Sequence, residues 1–119
     1  MAKQGAETRL IHKMRVAGRE RYGKRLVIVK QHGGSFSEVG VSDLLCVLDG
    51  RFIAVEVKAP ESYRVKGVPS VEKAEAEGAT VKQQEFIDRV ATAGGLSAVV
   101  ASVEGFLALL TKAETRHKK

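Results

Sequence analysis

GVSDLLCVLDGRFIAVEVK, residues 40–58, reads as a β-hairpin. Two runs rich in apolar and β-branched residues flank Asp49-Gly50, a dipeptide suited to a two-residue turn with both residues at positive φ. In such a hairpin the numbers of paired residues sum to a constant. Leu48 then faces Arg51, Val47 faces Phe52, and Asp43 falls opposite Glu56. Directly opposed side chains lie roughly 4.5–5.5 Å apart at Cβ, where like charges destabilise a sheet. Two carboxylates this close need a cation between them or an extra proton. Strand alternation places Phe52, Ala54, Glu56 and Lys58 on one face, and Ile53, Val55 and Val57 on the other.

Around this hairpin the chain supplies an α/β domain. A first helix is expected over Ala6–Tyr22, with Leu10, Ile11 and Met14 as its apolar stripe and Glu7 on the same inward side. Leu26–Lys30 (LVIVK) reads as a first strand, and residues 31–40, rich in Gly and Ser, as a loop. The hairpin strands span about residues 43–48 and 51–58. Residues 59–79 hold both prolines, many charges and no clean period, and read as a long mobile insert with a short helical turn near residues 71–77. A second helix starts at Thr80, buries Phe86, Ile87, Val90 and Ala91, and stops at Gly94-Gly95. A last strand covers residues 96–101. Ser102 caps a final helix whose core residues are Phe106, Leu107, Leu109 and Leu110. The expected fold is a small mixed sheet flanked by helices, in the order α-β-β-β-α-β-α.

The totals agree with one domain over residues 1–119, ending in a basic tail at about residues 113–119. Hydrophobic residues make up 44% of the chain and aromatics 5%, with no Trp, so the core must be aliphatic. No segment is long and apolar enough for a bilayer span, and the N-terminus lacks a signal-peptide core; a cytoplasmic location follows. The lone cysteine, Cys46, sits in an apolar run and reads as a buried core thiol. His12, His32 and His117 show no metal-ligand spacing, and Gly33-Gly34 lacks the lysine of a phosphate-binding loop. The net charge of +6 favours an anionic partner, nucleic acid first. Lys24, Arg25, Lys30 and His32 are candidate DNA contacts.

Two acids and a lysine on one sheet face suit metal-dependent phosphodiester hydrolysis. The reaction needs a positioned water, neutralised phosphate charge and help for the leaving oxygen, and one or two Mg²⁺ ions supply most of this. Mg²⁺ prefers oxygen ligands and retains several waters. Asp43 and Glu56 each offer a carboxylate oxygen, and the Val57 carbonyl a third ligand. Lys58 is placed to hold the attacking water or to stabilise developing negative charge. Glu7, if its helix packs over the sheet end, approaches as an outer-shell or second-metal ligand; it also fits an ordinary first-turn acid complementing the helix dipole.

Gly40-Val41-Ser42-Asp43 followed by Glu56-Val57-Lys58 resembles the PD-(D/E)XK nuclease signature. The helix-borne Glu7 and the stretch Thr80-Val81-Lys82-Gln83-Gln84-Glu85-Phe86-Ile87 resemble one branch of it, the virus-type replication-repair nuclease (VRR-NUC) domain. The likeness runs from Glu7 to about Ala101. Ser42 stands where that family usually has proline. The resemblance implies Asp43, Glu56 and the Val57 carbonyl as metal ligands, Lys58 as catalytic, Glu7 as a supporting acid and Gln83 near the active site. Thr80-x-x-Gln83 equally fits a capping box, and one conformation cannot fill both roles.

The resemblance further implies a Mg²⁺- or Mn²⁺-dependent endonuclease selective for branched DNA such as Holliday junctions, in phage or bacterial replication or repair. Symmetric cleavage of a four-way junction takes two active sites, which implies a homodimer. The last helix and the insert are its candidate surfaces. The alternatives are a nuclease or nickase for flaps, ends or plain duplex, and a non-catalytic DNA-binding accessory protein that grips phosphates through the basic first helix.

Overall fold

The computed structural model describes residues 5–31 and 38–115. His32, most of the 31–40 loop, and residues 116–119 of the basic tail lie outside the described residues. Four strands form one sheet: β1 (Leu26–Lys30), β2 (Leu44–Leu48), β3 (Arg51–Val57) and β6 (Leu96–Val100), in the spatial order β1-β2-β3-β6. The first three are antiparallel; β6 joins β3 in parallel, after a crossover. The helices are α1 (Ala6–Tyr22), α2 (Val71–Glu77), α3 (Val81–Thr92) and α4 (Val103–Ala113). This is the mixed sheet flanked by helices that the sequence pattern implies.

The hairpin forms as its turn chemistry requires. Asp49 and Gly50 both take positive φ, 52° and 84°, so the turn twists with the strands it joins. Leu48 pairs with Arg51 and Val47 with Phe52, and the register continues to Leu44 and Val55. Asp43 and Glu56 are the next pair along.

One sheet face packs against α1 and α4. Leu26, Ile28, Leu44, Cys46, Leu48, Ile53, Val55 and Val57 meet Ile11, Met14 and Tyr22 from α1 and Phe106, Leu109, Leu110 and Ala113 from α4, all buried. Cys46 is part of this core, and burial pushes its thiol up to about 12. On the other face α3 covers β3 and β6 with Ile87 and Val90. The Ser97 hydroxyl donates to the Ile87 carbonyl at 2.7 Å, which fixes that face, since Ser97 pairs with Ala54. Ala91, expected in the buried face of α3, is exposed, because it points away from the sheet. α3 leaves the β1 side of its face open, so Val27, Val29, Val47 and Phe52 remain exposed.

The insert carries more structure than its lack of a period suggested. A 3-10 turn (Pro60–Ser62) leads into a two-residue hairpin, β4 (Arg64–Val65) with β5 (Val68–Pro69), and then into α2. Each element is too short to show a period. Ser70 caps α2 by accepting from the Lys73 N–H at 3.1 Å, and Ala74 is fully buried. The last helix buries Phe106, Leu109, Leu110 and Ala113 in the core and leaves Val103 and Leu107 partly buried. Among the described residues no helix is long and apolar enough to cross a membrane.

Candidate active site

The site is built where β2 begins and β3 ends. Asp43 precedes β2, and its carbonyl accepts from the Gln31 N–H at 2.7 Å, which ties it to the end of β1. Its carboxylate Oδ2 accepts from the Val57 N–H at 2.8 Å. Alternate residues of a strand direct their backbone groups to opposite edges. The Lys58 N–H donates to the Val100 carbonyl on β6 at 3.0 Å. The N–H and C=O of Val57 therefore face the β2 edge, where β2 has ended and the Asp43 side chain stands in. The loop reaching Asp43 passes close under α3. A Cβ on Gly40 would lie 2.5 Å from the Lys82 carbonyl oxygen, and its φ is 89°, so glycine is required on both counts.

Among the Asp, Glu, Lys, Arg and His residues described, Glu56 is the one buried outright, at 1% exposure. Its Oε2 lies 3.5 Å from Lys58 Nζ, and its Oε1 has no hydrogen-bond partner. Burial first, then the charge and hydrogen bonding of Asp43, push the Glu56 carboxyl up to about 8 against the opposing pull of Lys58. A buried carboxylate with one unpartnered oxygen beside a second carboxylate suits a bound cation or a proton. Ser42 is fully buried and its hydroxyl is also unpartnered.

Glu7 lies in the first turn of α1 and is exposed. Partial desolvation and then Asp43 raise its carboxyl above the ordinary range, while Lys58 and Lys30 act in the other direction. It thus feels the same charges as Glu56 from the rim. Among the described residues no group of three His, Cys, Asp or Glu side chains is close enough to hold a metal ion by itself.

The remaining sequence candidates separate. Lys30 ends β1 beside this rim, where it is half-buried. Lys24 is exposed at the opposite end of β1. Arg25, also at that end, is committed to structure: its Nε and Nη2 donate to the Asp49 carboxylate at 3.0 and 2.6 Å, and Nη2 to Glu114 at 2.9 Å. It clamps the hairpin turn to the end of α4, about five strand residues or roughly 17 Å from Asp43. Gln83 completes the capping box: its Oε1 accepts from the Thr80 N–H at 2.8 Å while the Thr80 hydroxyl accepts from the Gln83 N–H at 3.1 Å. In this conformation its side chain serves the α3 N-terminus.

Sequence reasoning missed Gly78, whose Cβ would meet Lys58 Cγ at 2.6 Å. A glycine between a helix and a capping threonine gives no local sign of a contact with a lysine twenty residues earlier.

No protein-family model matches the chain, and no curated protein matches it. A solved structure described as a "VRR_NUC domain protein" is similar, with a TM-score of 0.61 and 14% sequence identity, over 94% of this chain and 90% of the other. At that identity the likeness is one of fold, and it places nearly the whole chain in the VRR-NUC fold.

Proposed function

We propose that this protein is a divalent-metal-dependent DNA endonuclease whose catalytic set is Asp43, Glu56 and Lys58. The observation that carries this reading is the fully buried Glu56 carboxylate, with Oε1 unpartnered, Asp43 beside it and Lys58 Nζ at 3.5 Å. A protein that only binds DNA gains nothing from two acids held together next to a polyanion. The similar fold described as a VRR_NUC domain protein supports the same reading.

The residues fit Mg²⁺ or Mn²⁺: hard oxygen donors, too few to close the coordination shell, leaving positions for water and phosphate. Asp43, Glu56 through Oε1 and the Val57 carbonyl would hold the ion, with Glu7 in the outer shell. When bound, the ion neutralises phosphate charge and acidifies water. The rest belongs to the chain. The Val57 N–H fixes one Asp43 oxygen and so aims the other. Glu56 must release its proton before it can act as a ligand. Lys58, anchored by Glu56, orients the attacking water or stabilises charge on the phosphate oxygens.

The substrate we infer is branched DNA, of the four-way-junction kind, handled in the cytoplasm during replication or repair. Paired cuts across such a junction take two sites, so the active form is a homodimer. Lys58→Ala tests the enzyme reading. In the enzyme, cleavage is lost and DNA affinity is nearly unchanged. If Lys58→Ala instead only lowers affinity and its salt dependence, Lys58 is a phosphate contact and the proposal fails.

A further inference from the structure

We propose that Gly78 is a positioning residue for Lys58, and that the 59–79 insert is the back wall of the active site. The inference rests on the nuclease reading above. Gly78 caps α2 and is buried. A Cβ there would come within 2.6 Å of Lys58 Cγ, 3.2 Å of Lys58 Cβ and 2.5 Å of the Ala74 carbonyl oxygen. These are not the free end of a flexible side chain. They are the root of Lys58 and the backbone of α2, and neither can yield without moving the ammonium or the helix.

α2 is itself held from two sides. Ser70 caps its start, and Ala74 at its centre is fully buried, where α2 packs against β6. Glu75 reaches the first turn of α4, where a Cβ on Gly105 would lie 3.1 Å from its Oε2. The Gly78 carbonyl accepts a long hydrogen bond from Tyr63, from the same insert. The insert thus delivers a rigid, side-chain-free surface to the stem of Lys58. The Lys58 side chain is only 15% exposed, although a strand-end lysine is ordinarily solvated. Without that surface the long stem would sample many rotamers, and the ammonium would spend less time at Glu56.

The test is Gly78→Ala, read by single-site kinetics and by ¹⁵N NMR of the Lys58 ammonium. A displacement of about 1 Å at the chemistry costs on the order of 10²-fold. Gly78→Ala should lower kcat by about that factor, leave KM and DNA affinity unchanged, and shift or broaden the Lys58 resonance. An unmoved Lys58 resonance or an unchanged kcat would overturn the proposal. If the wild type cleaves no DNA, the nuclease reading fails, while the Lys58 resonance still decides whether Gly78 sets that side chain. Should Gly78→Ala not fold, ¹⁵N relaxation of the wild-type Lys58 ammonium decides: a restricted side chain supports the contact, and a freely reorienting one overturns it.

Discussion

Glu56 is the most electrostatically strained side chain of the Asp43–Glu56–Lys58 group. Its carboxyl is pushed up to about 8 from an ordinary 4.5, chiefly by burial and then by Asp43. Between those values the folded state holds a proton that the unfolded chain has released. The metal-free protein therefore loses stability as pH rises through this window. Glu56→Gln removes the penalty. In EDTA the variant should melt higher than wild type at pH 8.5 and differ little at pH 4, and a gap independent of pH would contradict this. Divalent ions should stabilise wild type and not the variant, and their affinity should climb up to about pH 8 with proton release. Asp43, Glu56 and Lys58 were legible as a set because a two-residue turn fixes register by counting. The hydrogen bond from Val57 to Asp43 was not, since it replaces a ladder bond at a place where the strand has already ended.

Elements were legible where their signals are local. Asp49-Gly50 makes its turn, Ser102 caps α4 by accepting from the Gly105 N–H at 2.9 Å, and Thr80 starts α3. The insert was legible only in its helical turn at residues 71–77: the 3-10 turn, β4 and β5 are shorter than any period that could reveal them, and the place of α2 comes from contacts with β6. Gln83 shows how one motif supports two readings that only coordinates separate. With its side chain in the capping box, Gln83→Ala should behave like Thr80→Ala. Each should cost about 1 kcal/mol in chemical denaturation and leave kcat within a few-fold. A kcat loss on the order of 10²-fold for Gln83→Ala, with no such loss for Thr80→Ala, would show a second, catalytic conformation.

The whole molecule has two unequal sheet faces. The one under α1 and α4 is closed, whereas the other is covered by α3 only over β3 and β6. Val27, Val47 and Phe52 lie in register across three strands and are 56%, 40% and 39% exposed. That row starts four residues along β2 from Asp43. A two-fold axis through it would hold two active sites on the order of 30 Å apart. Size-exclusion with light scattering should give twice the 12.8 kDa chain mass for wild type. Val27→Asp with Val47→Asp should give the monomer with unchanged circular dichroism. A wild-type monomer at all concentrations would remove the paired-site model.

The most direct measurement is cleavage of a labelled four-way junction beside a linear duplex of the same arms, with Mg²⁺, Mn²⁺ or EDTA, for wild type and Asp43→Ala. Paired nicks in the junction that need the metal and vanish in Asp43→Ala are the expected result. Binding without cutting under every metal condition would contradict the assignment of Asp43, Glu56 and Lys58 as a nuclease site.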